Sequence, residues 1–195
     1  MIRMKSIQFL SFKMSFSTVF LSLFMVSVCA QSCTDDKTEK GTQAKISMDL
    51  PTAVITGNLD MVKQHIEAGT DLDKKDPMSG SSPLITATVF NKLEIAEALV
   101  KGGADLKVTN NDGSTALHTA AFFGRVEMVQ LLLDAKADKS LRNNYGATAR
   151  ESILGDFEDM RGLYEMFQGQ LKPMGLVLDM EELKNARPVI AEMLK

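Results

Sequence analysis

From about Ile46 onward the apolar positions of this chain recur with a long period and do not fill one continuous run. Met61, Ile95 and Met128 correspond at steps of 34 and 33 residues, as do Val62, Ala96 and Val129, and Ile66, Val100 and Leu133. Turn-forming and polar positions keep the same step. Gly80, Gly113 and Gly146 are 33 apart, and Asp71, Asp105 and Asp138 are separated by 34 and 33. Self-similarity at a period of a few tens of residues marks a stack of repeated supersecondary units. One such unit cannot bury its apolar face alone, so roughly three or more must pile up, with atypical units closing the ends.

Within a unit the pattern predicts two short helices. Leu117, Ala120 and Ala121 share one face at i, i+3 and i+4, small enough for neighbouring helices to approach. Met128, Val129, Leu132 and Leu133 form the apolar stripe of the second helix. Gly113, like Gly80 and Gly146, is placed where the chain turns tightly into a helix. Thr115 follows as a helix-starting hydroxyl, and Pro83 occupies a first helical turn where its missing donor costs little. Gly69 and Gly103 are expected to end their helices with a left-handed cap; Lys136 holds the equivalent place at a cost of about 1 kcal/mol.

The clearest unit reads Asp112-Gly113-Ser114-Thr115-Ala116-Leu117-His118-Thr119-Ala120-Ala121, then Phe122-Phe123-Gly124, then Val126 through Leu133. This resembles the ankyrin repeat. The unit from Gly80-Ser81-Ser82-Pro83-Leu84 to Gly102-Gly103-Ala104-Asp105 is similar to the same pattern. A degenerate unit precedes them, from Asp49 to Asp76. Another follows from Asn144, where Tyr145-Gly146-Ala147-Thr148-Ala149 keeps the turn but Arg150 replaces the apolar leucine. The resemblance implies an all-α ankyrin-repeat solenoid of about four helix-turn-helix repeats with short hairpin loops, over residues 46–168 (about 46–77, 78–110, 111–143 and 144–168). Residues 169–195 are expected to form a C-terminal helical cap: Gly169, Pro173 and Gly175 interrupt helix, and Asp179 with Glu182 starts a run to Leu194. Pro188 inside that run predicts a kink or a break near Ala186 and Arg187.

The N-terminus differs. Arg3, Lys5 and Lys13 precede an uncharged run from Met14 through Val28, and Val28 and Ala30 are placed for cleavage before Gln31. This is the layout of a signal peptide over residues 1–32, and the run is shorter than the roughly 20 apolar residues of a spanning helix. Ser32-Cys33 followed by Thr34-Asp35-Asp36-Lys37 also resembles a bacterial lipoprotein start, which would make Cys33 a lipidation site. Plain cleavage and lipidation both stay open, and either places the chain in a periplasm or on a membrane surface. Residues 33–45 are polar and are expected to act as a flexible tether.

Composition narrows the chemistry. Removal of the leader takes away three basic groups and no acidic ones, leaving 25 acidic side chains against 19 Lys and Arg, a formal charge of −6. Nothing forms a basic stripe for phosphates, so no nucleic-acid partner is expected. Cys29 and Cys33 are the only cysteines and stand at the N-terminus, which excludes a disulfide framework or cysteine-built zinc site in the repeats. His118 stands in the helix-entry motif, and the resemblance gives its imidazole the structural role of tying one loop to the next. His65 aligns with Leu99 and Leu132 on the apolar stripe and is expected to be packed. Asp71, Asp105 and Asp138 line up along the stack and do not converge as paired catalytic carboxylates would. No enzymatic activity, metal or cofactor is expected.

Surface recognition remains. In the ankyrin pattern the residues before the inter-helix glycine lie toward the concave face, and here they are Ile55 with Thr56, Val89 with Phe90, and Phe122 with Phe123. They are expected to form an apolar strip for a protein partner, bordered by Asn110, Asn111, Asn143 and Tyr145 at the hairpin tips. In the competing reading one Phe of each pair completes the core; Phe122 suits either role, and Phe123 is expected at the surface. The function implied is an exported, monomeric, non-catalytic protein-binding module. The alternative is a periplasmic scaffold or protective factor that supports maturation or stability of an exported enzyme.

Overall fold

The computed structural model describes residues 47–195, all helix, turn and loop. Three helix pairs come first: α1 (Leu50–Thr56) with α2 (Leu59–Glu67), α3 (Pro83–Val89) with α4 (Leu93–Lys101), and α5 (Ala116–Phe122) with α6 (Val126–Asp134). Side-chain caps start the first helix of each pair. Asp49 accepts from the Thr52 N–H at 2.7 Å, Ser82 from that of Ile85 at 3.3 Å, and Thr115 from that of His118 at 3.4 Å. The bend between paired helices needs a left-handed residue, supplied by Gly57, Asn91 and Gly124. The second helices end on Gly69, Gly103 and Lys136 at φ 69°, 94° and 67°, so the lysine carries the expected strain.

Helices of seven and nine residues are too short to persist alone in water, so stacking must hold them. First helices pack on first helices and second on second along the series. Ala53, Ala87 and Ala120 repeat down the inner column and Val62, Ala96 and Val129 down the outer one, all completely buried. His65 takes the place in the outer column that Leu99 and Leu132 hold farther on. Its ring is buried and satisfied, with Nε2 2.8 Å from the Met48 carbonyl and Nδ1 3.1 Å from the Thr70 hydroxyl.

The fourth unit, expected as a helix pair over 144–168, is built differently. The hairpin Asn143–Ala147 keeps its turn, but its first helix shrinks to a 3-10 turn, Glu151–Ile153. Arg150 stands where Leu84 and Leu117 fill the core in earlier units, and its Nε donates to the Ala191 carbonyl at 3.0 Å. Next come α7 (Phe157–Leu171), a second 3-10 turn (Lys172–Met174) and α8 (Met180–Met193). The 3-10 turn Glu151–Ile153 packs on α5 and α8 packs on α6, repeating the earlier pairings of inner with inner and outer with outer. The turn Glu151–Ile153 and α8 thus take the inner and outer places over the third repeat, and α7 is inserted between them.

Of the kink or break expected at Pro188, the break is absent: α8 is continuous through it. Pro188 and Lys184 are both exposed, so the carbonyl that loses its donor one turn earlier stays solvated. Asp179 starts the helix as expected, accepting from the N–H groups of Glu181 and Glu182.

His118 joins the third repeat to the fourth. With the proton on Nε2, it donates to the Ala147 carbonyl at 3.1 Å, and Nδ1 faces the Thr115 hydroxyl at 2.9 Å and the Thr115 N–H at 3.4 Å. Burial holds this imidazole below the ordinary histidine pKa, against the pull of the Ala147 and Leu141 carbonyls. The folded state therefore binds fewer protons than the unfolded state below about pH 6.5. The His118 contribution is fully present above that pH and declines as the pH falls from there through the folded value. Urea unfolding of the wild type and of His118→Gln should differ by roughly 1–2 kcal/mol at pH 7.5 and by clearly less at pH 5. A difference that is the same at both pH values contradicts a buried neutral imidazole.

Candidate interaction surface

Each hairpin tip is shaped by its own side chains and then tied to the next. Asn110 Oδ1 accepts from the N–H groups of Asp112 and Ser114 at 3.0 and 2.9 Å, and Asn143 Oδ1 from those of Tyr145 and Ala147 at 3.0 and 3.1 Å. Asp76 performs the same task for Met78 and Ser79. Ties between hairpins come one residue later. Asn111 Nδ2 donates to the Met78 carbonyl at 2.8 Å, and Asn144 Nδ2 to the Asn111 carbonyl at 3.0 Å. Backbone bonds from Asn111 N–H to Ser79 and from Asn144 N–H to Asp112 run alongside. A Cβ on Gly80 would sit 2.9 Å from the backbone nitrogen of Asn111, and one on Gly113 would sit 2.8 Å from that of Asn144. Those glycines are needed for close approach as well as for their positive φ.

Three of the four polar residues expected to border a partner site are therefore engaged within the scaffold: Asn110 and Asn143 shape their own hairpins, and Asn111 ties one hairpin to the next. Tyr145 differs: it is 77% exposed, and its hydroxyl donates to Asp112 Oδ1 at 3.3 Å across the hairpins. The Asp112 charge, with some help from burial, pushes the phenol above its ordinary pKa. Met78, at the corresponding tip two repeats earlier, is 78% exposed. The hairpin tips form one ridge: Ser79, Asp112 and Tyr145 hold equivalent places at steps of 33 residues, and Met78 stands one place before Ser79. The sequence reading passed over Met78 and Asp112; the 33-residue register that holds Tyr145 places Asp112, whereas Met78 falls one residue outside it.

The expected apolar strip is covered at Val89, Phe90, Phe122 and Phe123, while Ile55 lies outside that cluster. Ile55, Val89, Phe90 and Phe122 are half-buried, and Phe123, expected at the surface, is only 5% exposed. Phe122 meets Phe123 edge-on at 5.0 Å between ring centres, Tyr164 at 4.7 Å and Phe167 at 5.7 Å; Phe123 meets Phe167 at 5.8 Å. Such edge-to-face and tilted geometries are the favourable ones for aromatic pairs. Val89 and Phe90 pack against the same cluster, which α7 and the following segment complete with Phe157, Tyr164, Leu176 and Leu178, and α8 with Leu183. The sequence signal for this cover was present in α7, where Phe157, Met160, Tyr164, Phe167 and Leu171 fall at i, i+3, i+7, i+10 and i+14. Dividing the chain at residue 168 concealed it.

Cations surround the outer end of the cluster. Arg161, Arg187 and Lys184 approach the Phe157 ring at 5.1, 5.7 and 5.9 Å. Arg187 is buried and donates to the Ile153 carbonyl through Nε and Nη2 and to the Gly155 carbonyl through Nη2 at 2.8 Å. Glu158 accepts from Arg161 at 2.7 Å and lies 3.7 Å from Lys184, and Arg161 holds its carboxyl below the usual range. These groups orient α7 at its start. Among the described residues, no three His, Cys, Asp or Glu side chains gather to hold a metal, and no helix is long and apolar enough to cross a membrane. Cys33, the signal peptide and the tether lie outside the described residues.

Residues 50–143 match the family model of ankyrin repeats in three copies. Among solved structures, the crystal structure of the ankyrin repeat domain of Bcl-3, described as a unique member of the IkappaB protein family, is similar at 36% identity with a TM-score of 0.52. The match covers 53% of this chain and 45% of that one, so the likeness spans less than half of the Bcl-3 domain. No curated protein matches the sequence. Matching solved chains number 461, so the fold by itself selects no partner. The helix pairs, their hairpins and this match identify residues 50–143 as ankyrin repeats, a scaffold that generally mediates protein–protein interaction.

Proposed function

We propose that this chain is an exported, monomeric, non-catalytic module that holds one protein partner along its hairpin ridge. The ridge carries the reading: two large side chains, Met78 and Tyr145, stand almost fully exposed on a scaffold whose tips are locked in register, with the Asp112 carboxylate between them. Exposed apolar and aromatic groups held at fixed spacing by a rigid frame form the kind of anchor that partners bury. His118 and His65 are both committed to structural hydrogen bonds, and the loop aspartates hold their own turns, as when Asp105 and Asp138 accept from the N–H two residues on. Export is supported by the basic start, the apolar run Met14–Val28 and the small residues before Gln31, and a lipid anchor by Cys33.

Affinity capture with the full mature chain tests the ridge. Tyr145→Ala and Met78→Ser should each lower recovery of a stoichiometric partner at least tenfold, about 1.4 kcal/mol, while thermal unfolding stays unchanged. Full recovery with both replaced contradicts the ridge as the binding surface. Intact mass and fractionation of the chain expressed in bacteria with its own leader test the location. A product starting at Cys33 with acyl mass in the membrane fraction, or a soluble one starting near Gln31, is expected; an uncleaved cytosolic product contradicts export.

A further inference from the structure

The described residues form two apolar clusters, and α7 belongs wholly to the second. The main core runs through the three repeats and takes in Ile153, the α8 residues Ala186, Ile190 and Ala191, and Leu194 just after it. The second gathers Phe157, Tyr164, Leu176, Leu178 and Leu183 over Phe123, with Val89, Phe90 and Phe122 at its edge. The stack is therefore closed by the turn Glu151–Ile153 and α8 without any contribution from α7.

Polar attachments of the inserted segment are few. Arg187 holds the Gly155 carbonyl, Lys184 lies 3.7 Å from Glu158 and Arg125 reaches the Val177 carbonyl at 3.3 Å, all near its ends; the body of α7 is held by side-chain packing. Gly155 precedes the helix and Gly175, at φ 97°, follows it. Inside α7, Gly162 and Gly169 are exposed, and a Cβ at either would meet no atom within 4 Å. No packing need explains them, and each weakens the helix relative to alanine. A 15-residue helix containing two glycines depends on docking for its order.

We propose that α7 is a displaceable intramolecular ligand, and that the face beneath it receives amphipathic helices bearing apolar groups at i, i+3, i+7, i+10 and i+14. This rests on the protein-binding reading above and specifies the kind of partner segment. The resident helix defines the chemistry of the site: aromatic and aliphatic groups from one helical stripe, seated on Phe90, Phe122 and Phe123. Tethering places α7 at an effective concentration on the order of millimolar. An external helix must outcompete it, and the measured affinity falls by the fraction of chains that are open.

Two measurements on the full chain test this without the natural partner. In native-state hydrogen exchange, the amides of α7 should open as one group at least a hundredfold faster than those of α5, α6 and α8. Replacing both Gly162 and Gly169 by Ala should slow that opening at least tenfold. Exchange of α7 at the rate of α5 and α6 would overturn a separable cover. A fluorescent peptide of residues 156–172 should then bind the Tyr164→Ala chain at least tenfold more tightly than the wild type, and the Gly-to-Ala chain more weakly than either. Equal binding to all three chains, or binding to none, overturns the receptor face. Failure here combined with partner capture through Met78 and Tyr145 would leave the ridge reading intact. The reverse outcome would leave the face beneath α7 as the receptor and remove the ridge.

Discussion

The apolar face of each helix pair has to be covered by the next pair, and every other feature of the molecule follows from that requirement. Helices of two turns contribute little by themselves. Fully buried columns, Ala53, Ala87 and Ala120 within and Val62, Ala96 and Val129 without, turn three weak units into one core. The ends then become the difficulty, because a terminal repeat has a neighbour on one side only. At the N-terminal end the outer column stops on His65, whose ring is shielded and whose nitrogens are met by Met48 and Thr70. At the C-terminal end Arg150 replaces the core leucine and turns outward to the Ala191 carbonyl, and α8 covers what remains.

The same end carries the unusual element. Where an ordinary repeat would pass from its first helix to its second through a short turn, this chain inserts α7 and lays it on the side chains before the inter-helix turns. The aromatic pairs at 4.7 to 5.8 Å make a second core at a place that a repeat stack would otherwise leave open to ligands. Arg187 is central to the junction: one guanidinium holds the carbonyls of Ile153 and Gly155 and lies over the Phe157 ring, fixing the point at which the chain leaves the fourth repeat. Its charge is met by carbonyl dipoles and an aromatic face in place of a carboxylate.

Much of the fold was legible in the sequence because it rests on local rules that repeat. The 33- and 34-residue steps located the helix pairs, Thr115 and Asp179 their starts, and Lys136 the left-handed position of a missing glycine. What was hidden depends on contacts distant in sequence. Phe123 reads as a surface residue within its own repeat and is buried under residues distant in sequence, among them Phe167, 44 residues later. Asn110 and Asn143 look like tip decoration, yet their side chains act as local acceptors that shape the hairpins. Pro188 removes one donor from α8, and the helix runs on through it at an exposed position. The stripe on α7 was readable, but its destination was not, since an amphipathic helix shows that it must be covered without showing by what.

The claim on which this account turns is that α7 covers the aromatic face through direct side-chain packing. A double-mutant cycle of Phe123→Ala and Phe167→Ala, followed by urea unfolding, measures that contact. The predicted coupling is roughly 0.5–1.5 kcal/mol, the size found for aromatic pairs in edge-to-face contact. Effects that simply add, with no coupling, would contradict the cover and return Phe123 to the open surface.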